Sequence, residues 1–404
     1  VLCDPGEKEE NFIRGLLYQT DKSAHSILKR YAGADFLITI SLCMIVKNEE
    51  RVLERCLNTA RGFADEIIIV DTGSEDKTRE IAERFTKKVY EFTWKDDFAA
   101  ARNEAFSKAT MDYCMWLDAD DVVTEENQKK LCRLKETMDT DVDMVMMKYA
   151  TSADANGNTL FSYYRERLMK NGRGFLWEGR VHEVIVPAGK VVYSDIEIHH
   201  QKTGAGDGDR NLRIYEKMLK EGEILNGRNK FYYGRELLAH RRYGDAQKVL
   251  EEFLAGEGWG ENKIEACLNL AECFRAMGQK EEGVLVLLRG FLYGTPRGEA
   301  CFELGRYFQE KEEWEQAIFW YELALKLTPS GEMGAFVRWE YYGYLPEINL
   351  CVCYDRLGDA EKAYAYHLKS KARRPEADEV KWNDRYFKEK GMDEPNLRIG
   401  HMIQ

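Results

Sequence analysis

From Phe36 onward the apolar residues alternate between short runs and helical stripes. Ile38–Val46 reads as a strand, Val52, Leu53, Cys56, Leu57 and Ala60 follow at helical spacing, and residues 66–70 read as a second strand. A helix over about 76–85, a short strand over 89–92, a helix over 97–109 and the apolar run Tyr113-Cys114-Met115-Trp116-Leu117 continue the alternation. Repeated βα units of this kind predict a mainly parallel sheet covered by helices. A helix near 125–138, a strand over 143–149, a turn at Asn156-Gly157 and several shorter β-like runs reaching His200 predict that antiparallel strands join the sheet late. Ahead of this region Phe12, Ile13, Leu16, Leu17, Ile27, Leu28 and Tyr31 recur at mostly helical spacing, which predicts one amphipathic helix or two short ones.

The stretch from Thr203 to Asp209 is rich in Gly and Asp, lacks an apolar anchor and marks a boundary. Everything beyond it reads as helical. Turn-like segments centred on Gly244, Gly278, Glu312 and Gly358 recur at intervals of 34, 34 and 46 residues, the last holding an extra segment around 328–344. A period near 34 is that of the tetratricopeptide repeat, and small residues five positions after the turn (Gly283, Ala317, Ala363) suit its close helix contact, with Val249 a looser match. The aromatic residues of the third and fourth units are read as packing between helices. The expected organisation is a helical segment over 1–36, an α/β domain over 37–205 and a helical repeat domain over 206–404.

Composition narrows the function classes. The 404 residues carry a net charge of −12, which gives no electrostatic basis for nonspecific nucleic-acid binding. The ten cysteines are scattered through apolar stretches with no Cys-x-x-Cys pair, which argues against a zinc ribbon or a disulfide framework. No apolar run reaches the roughly 18 residues of a membrane span, and the first residues lack the pattern of a signal peptide, so a cytoplasmic location is expected.

The candidate chemistry sits at strand ends. Asp118-Ala119-Asp120-Asp121 follows directly on an apolar run, and Asp71 closes another. In open α/β sheets the ligand crevice lies beyond the carboxyl ends of the strands, and carboxylates there suit a divalent cation whose shell is completed by phosphate oxygens. Alone, an Asp-x-Asp fits a solvated turn or a helix start equally well, since Thr124, Glu125 and Asn127 make a cap for the next helix. With Asp71, two strand ends deliver acidic groups to one edge.

Four segments in order, Ser41 to Glu49, Ile69 to Thr78, Ala101-Arg102-Asn103 and Asp118-Ala119-Asp120, resemble the family-2 inverting glycosyltransferases of GT-A fold over about residues 37–200. Phe175 to Glu183, with Gly179, Val181, His182 and Glu183, and Ile196 to His200 resemble the motifs of a narrower subgroup, that of the sublancin peptide S-glycosyltransferase. That enzyme also carries a C-terminal helical tetratricopeptide-like region, so the resemblance extends over most of the chain. The resemblance implies a nucleotide-sugar site from Val46, Asn48, Glu49, Asp71, Arg102, Asn103, Asp118, Ala119, Asp120 and Asp121. It also implies Mg²⁺ or Mn²⁺ held by Asp120, Asp118 and His200, with His199 the alternative imidazole and Asp121 a supporting acid. Relatives often carry two successive acids where this chain has Asp71-Thr72. Glu183 is the candidate general base, with His182 orienting or replacing it; bracing of a loop is the alternative role for Glu183, and a salt bridge that for Arg102.

The implied reaction is transfer from a nucleotide-diphosphate donor, UDP-linked by preference, to a peptide or protein acceptor held by the repeats, which could also form a homodimer. The alternatives are transfer to a lipid-linked or cell-surface saccharide, and a repeat scaffold whose transferase domain is degenerate. Neither reading calls for nucleic acid or an integral membrane segment.

Overall fold

A computed structural model describes residues 37–153, 159–201, 207–329 and 337–392. The amphipathic segment expected over 9–31, the turn at Asn156-Gly157 and the junction at 205/206 lie outside the described residues. Ten strands are present among these: Ile40–Val46 (β1), Glu66–Asp71 (β2), Val89–Glu91 (β3), Tyr113–Trp116 (β4), Asp121–Val122 (β5), Met144–Ala153 (β6), Thr159–Lys170 (β7), Trp177–Glu178 (β8), Val184–Ile185 (β9) and Val191–His200 (β10). Eight of them form one sheet in the order β3-β2-β1-β4-β7-β6-β10-β5, and β8 pairs with β9. The first four run parallel, β7 is antiparallel to both of its neighbours, β10 is parallel to β6, and β5 is antiparallel to β10.

Both faces of β1, β2 and β4 are covered, so these strands are apolar without alternation. Leu42, Met44, Ile69 and Met115 pack with Leu53, Cys56, Leu57 and Ala60 of helix Leu53–Ala60 (α1). Cys43, Ile68, Val70 and Cys114 pack on the other face against Ala105 of helix Phe98–Ser107 (α3), which follows Thr78–Glu83 (α2). Burying each such aliphatic side chain contributes about 1.5–3 kcal/mol. Helix Glu125–Thr137 (α4) begins at Thr124, whose hydroxyl accepts from Asn127 N, so the predicted cap forms beside the acidic segment rather than instead of a site.

The strands after α4 are longer than the sequence pattern suggests. Within β7 the run Tyr163-Tyr164-Arg165-Glu166-Arg167 is polar, yet Glu166 is 3% exposed and Arg167 fully buried. Paired charges hide a central strand there.

The described residues from 207 onward are helical: Arg210–Lys220 (α5), Gly227–Ala239 (α6), Tyr243–Ala255 (α7), Gly260–Ala276 (α8), Lys280–Gly290 (α9), Gly298–Glu310 (α10), Trp314–Lys326 (α11), Tyr344–Arg356 (α12), Ala360–Arg373 (α13) and Asp378–Glu389 (α14). The predicted turns around Gly278, Glu312 and Gly358 join α8 to α9, α10 to α11 and α12 to α13, whereas Tyr243 to Ala246, predicted as a turn, begins α7 and the chain turns just before it at 240–242. Gly234 and Gly305 let paired helices touch, since a Cβ there would meet Leu250 at 2.6 Å and Tyr321 at 2.7 Å. The extra length in the last interval includes a 3₁₀ turn, Trp339–Tyr342, held where Arg338 N donates to Glu299 (2.9 Å) and its guanidinium pairs with Glu265.

The two regions share a core. Val181 is 2% exposed and lies in one apolar cluster with Tyr215, Leu237 and Phe274, against which Trp94 and Phe98 pack. Lys217 pairs with Asp96 at 2.5 Å, and Arg180 reaches Glu221 (2.8 Å) and Glu223.

Candidate active site

The acidic segment turns sharply after β4. Asp121 N donates to Asp118 O and Asp118 N to Asp121 Oδ2, each at 3.0 Å, so Asp118 and Asp121 face different neighbours. Asp121 then pairs across strands with His200, and Gln201 N donates to Asp120 O at 3.0 Å. Side chains alternate along a strand, so this register places His200 among the acids and turns His199 to the face of Glu197, 3.8 Å away. From α1, Arg55 Nη2 donates to Gln201 O (2.9 Å) and Asp120 O (3.3 Å), fixing the segment from behind.

His200 Nδ1 lies 3.2 Å from Asp120 Oδ1, 3.5 Å from Asp121 Oδ1 and 2.9 Å from the Tyr149 hydroxyl. The ligand atoms of Asp120, Asp121 and His200 fall within 4.8 Å of one another. Asp121 is fully buried, and its Oδ1 has no hydrogen-bond partner. An orphaned carboxylate oxygen facing a second carboxylate and an imidazole is a donor set that fits a divalent cation. A hydrogen bond to Asp120 and the neighbouring charge of Asp121 push the His200 imidazole up to about 10. Nearby, burial first and then repulsion from Asp120 and Asp118 raise Glu49 to about 7, a further sign of uncompensated negative charge.

Asp118, expected among the metal ligands, is engaged differently. Its Oδ1 accepts from Arg102 Nη2 at 2.8 Å, and Arg102 Nε donates to Glu183 Oε1 at 2.6 Å. Burial works against the charge of Asp118, but Arg102 and Arg167 outweigh it and hold the carboxyl down at about 2. Arg102 is 6% exposed and lies over the rings of Trp116 (4.7 Å) and Trp177 (4.9 Å), so one cation joins two carboxylates on an aromatic floor. The salt bridge that is the alternative role for Arg102 is thus present, made to the acidic segment and to Glu183.

The remaining candidates divide between the crevice and its frame. Asp71, 5% exposed at the end of β2, accepts from Ser74 N (3.1 Å) and Ser74 Oγ (2.5 Å). Asn48, in the left-handed region at φ +55°, accepts from Glu75 N (2.8 Å), and Val46 O accepts from Thr72 N (2.9 Å), so these residues tie the loops after β1 and β2 together. Ala119 is buried beneath the acidic turn. Asn103 spends its amide on Trp177, donating to its carbonyl (3.0 Å) and accepting from its N–H (2.8 Å). Its amide faces β8. His182 turns away from Glu183: its Nε2 lies 2.8 Å from Glu236 Oε1 of α6.

Three contributors were not singled out from the sequence. Arg167, fully buried, donates to Asp121 Oδ2 and Trp116 O at 3.1 Å each and lies 3.7 Å from the Trp116 ring centroid. The Tyr149 hydroxyl bridges toward His200 and, at 3.5 Å, Asp118. Glu236 comes from the helical region. The charged triplet Arg165-Glu166-Arg167 between apolar neighbours was the available signal for the first.

Residues 41–190 match Glycosyl transferase family 2, and residues 298–330 match the tetratricopeptide repeat. The chain is 29% identical over 231 residues to the SPbeta prophage-derived glycosyltransferase SunS of Bacillus subtilis, 53% of each chain. It is 48% identical over 82 residues to a TPR repeat-containing protein of Synechococcus elongatus, 20% of each. To an uncharacterized glycosyltransferase of Rickettsia bellii it is 35% identical over 92 residues, 23% of this chain and 31% of that one. The chain therefore spans about half or less of the length of these relatives. No helix among the described residues is long and apolar enough to cross a membrane. A parallel sheet extended by antiparallel strands, an acidic crevice at its edge and paired helices behind it accompany these matches: the chain carries a family-2 glycosyltransferase domain of GT-A type followed by tetratricopeptide-like repeats.

Proposed function

We propose that the chain transfers a sugar from a nucleotide-diphosphate donor, preferably UDP-linked, to a peptide or protein acceptor, in one displacement with inversion. The observation that carries the reading is the convergence of Asp120, Asp121 and His200, with the orphaned Asp121 Oδ1, beside the Arg102-bridged pair Asp118 and Glu183. Asp120, Asp121 and His200 would hold Mg²⁺ or Mn²⁺, which when bound neutralises the charge that develops on a departing diphosphate. Asp71, Asn48 and Val46 shape the loops against which a nucleoside would rest. Asp118, fixed by Arg102, faces the same crevice and suits a ribose hydroxyl. Glu183 accepts the proton of the attacking acceptor group as the bond from the anomeric carbon to the diphosphate oxygen breaks.

The similarity to SunS supports a peptide acceptor, and stacked helix pairs offer an extended surface for one. A panel of nucleotide sugars, each with Mn²⁺, tests the reading through release of the nucleoside diphosphate and through thermal shift. One donor is expected to raise the unfolding temperature and to be slowly hydrolysed, with both responses lost in Asp120→Ala. Absence of either response to every donor would overturn the reading. Mass spectrometry of peptides against lipid extracts, incubated with the active donor, then decides the acceptor class.

A further inference from the structure

We propose that Glu236, on the second helix of the helical region, is a positioning residue for the transfer centre, acting through His182 on Glu183. The proposal rests on the reading of Glu183 as the base. The segment Gly179–Glu183 is clamped from two sides. From the sheet domain, Arg102 Nε donates to Glu183 Oε1 (2.6 Å), Arg165 Nη2 donates to Glu183 O (3.2 Å), and Phe98 N donates to Arg180 O (2.9 Å). From the helical region, Arg228 Nη2 donates to His182 O (3.1 Å), and Glu236 Oε1 meets His182 Nε2 (2.8 Å).

The backbone makes the two clamps interdependent. His182 has φ +51°, in the left-handed region that few non-glycine residues occupy, histidine being among those that do so more often. That turn sends His182 toward α6 and Glu183 toward Arg102. The imidazole lies flat on Tyr232, with centroids 4.3 Å apart and planes 16° apart, and Arg228 in turn lies over the same ring at 4.8 Å. Asn211 Nδ2 donates to the same Glu236 oxygen at 3.1 Å, so the carboxylate is itself oriented by α5. Without Glu236 the imidazole loses its polar anchor, the left-handed turn is left to the bond from Arg228 to the His182 carbonyl and the stack on Tyr232, and the Glu183 carboxylate is held less firmly in its geometry. Misplacement of a reacting group by about 1 Å is enough to cost roughly 100-fold in rate.

The test uses the full chain, with release of nucleoside diphosphate from the active nucleotide sugar in Mn²⁺ as the readout. Glu236→Ala should lower kcat at least tenfold and leave the donor KM within twofold. Glu236→Gln keeps an oxygen that can accept from His182 Nε2–H and should restore kcat to within threefold of the parent. If Glu236→Ala retains the parental kcat, or if it loses unfolding temperature and donor affinity together while kcat per folded molecule is unchanged, Glu236 has no positioning role. If Glu236→Gln is as slow as Glu236→Ala while both fold as the parent does, acceptance by its side chain is not what matters and the proposal fails. A parent chain that turns over no nucleotide sugar overturns the transfer reading, and this proposal with it.

Discussion

At the scale of the residue, His200 shows how a site declares itself through charge. Its imidazole is held protonated to about pH 10 by Asp120 and Asp121, against 6.5 for the unperturbed group. A group whose folded value is raised adds stability that is fully present below its unfolded value and is lost as pH rises through the folded one. Metal-free protein should therefore lose stability as pH rises from about 6.5 to about 10, and His200→Asn should flatten that part of the profile. Mn²⁺ should flatten it too if the proposed site of Asp120, Asp121 and His200 holds it, since the cation would then take the place of the proton between the same carboxylates; denaturant unfolding at stepped pH measures all three. The acids of this site were legible because Asp118, Asp120 and Asp71 directly follow apolar strands. Which acid does what was not: the turn that points Asp118 at Arg102 and Asp121 at His200 arises from two hydrogen bonds within four residues and from a partner strand nearly eighty positions later.

At the scale of the element, local pattern served well where one face or both faces of an element are apolar and poorly where charge is buried. Strands β1, β2 and β4 and all four helix pairs follow from periodicity, whereas β7 carries Arg165, Glu166 and Arg167 in its middle and is recognisable only once Asp121 and Trp116 are seen to satisfy Arg167. Small elements depend on side chains supplied from elsewhere. The two-residue strand β8 is held to α3 by the amide of Asn103, and Asn103→Ala leaves the N–H and carbonyl of Trp177 without that partner. The expected loss is about 1–3 kcal/mol by urea unfolding, with a fall in nucleoside diphosphate release because β8 leads into the Gly179–Glu183 segment. In the repeats, Gly305→Val forces methyl groups into the space of the Tyr321 ring, 2.7 Å from where a Cβ would sit. Overpacking of this kind costs about 1–3 kcal/mol, and a lower thermal midpoint with an intact helical circular dichroism spectrum is the expected result.

At the scale of the molecule, the sheet domain and the helices act as one body around Val181. The sequence marked a boundary near 203–209, and no periodicity could show that Trp94, Phe98 and Val181 leave the sheet domain's own core to join that of the helices. Such contacts are between residues distant in the chain, chosen by shape. Val181→Asp places a charge at a 2% exposed position in that shared cluster, a cost of several kcal/mol. The parent should unfold in a single calorimetric transition and the variant in two, while Arg180→Ala, which removes only partly exposed ion pairs, should leave the single transition in place.

The pairing of His200 with Asp121 also constrains how this chain can change in length. Insertions between β9 and β10 can be taken up by the exposed residues 186–188, ahead of the turn at Gly189 that packs on Asp143, but a single residue gained or lost between Glu197 and His200, beyond the register shift that follows Tyr193, would present His199 to the acids. Homologous chains should therefore vary in length over residues 186–188 and keep the span from Glu197 to His200 fixed in number, even where its individual residues differ.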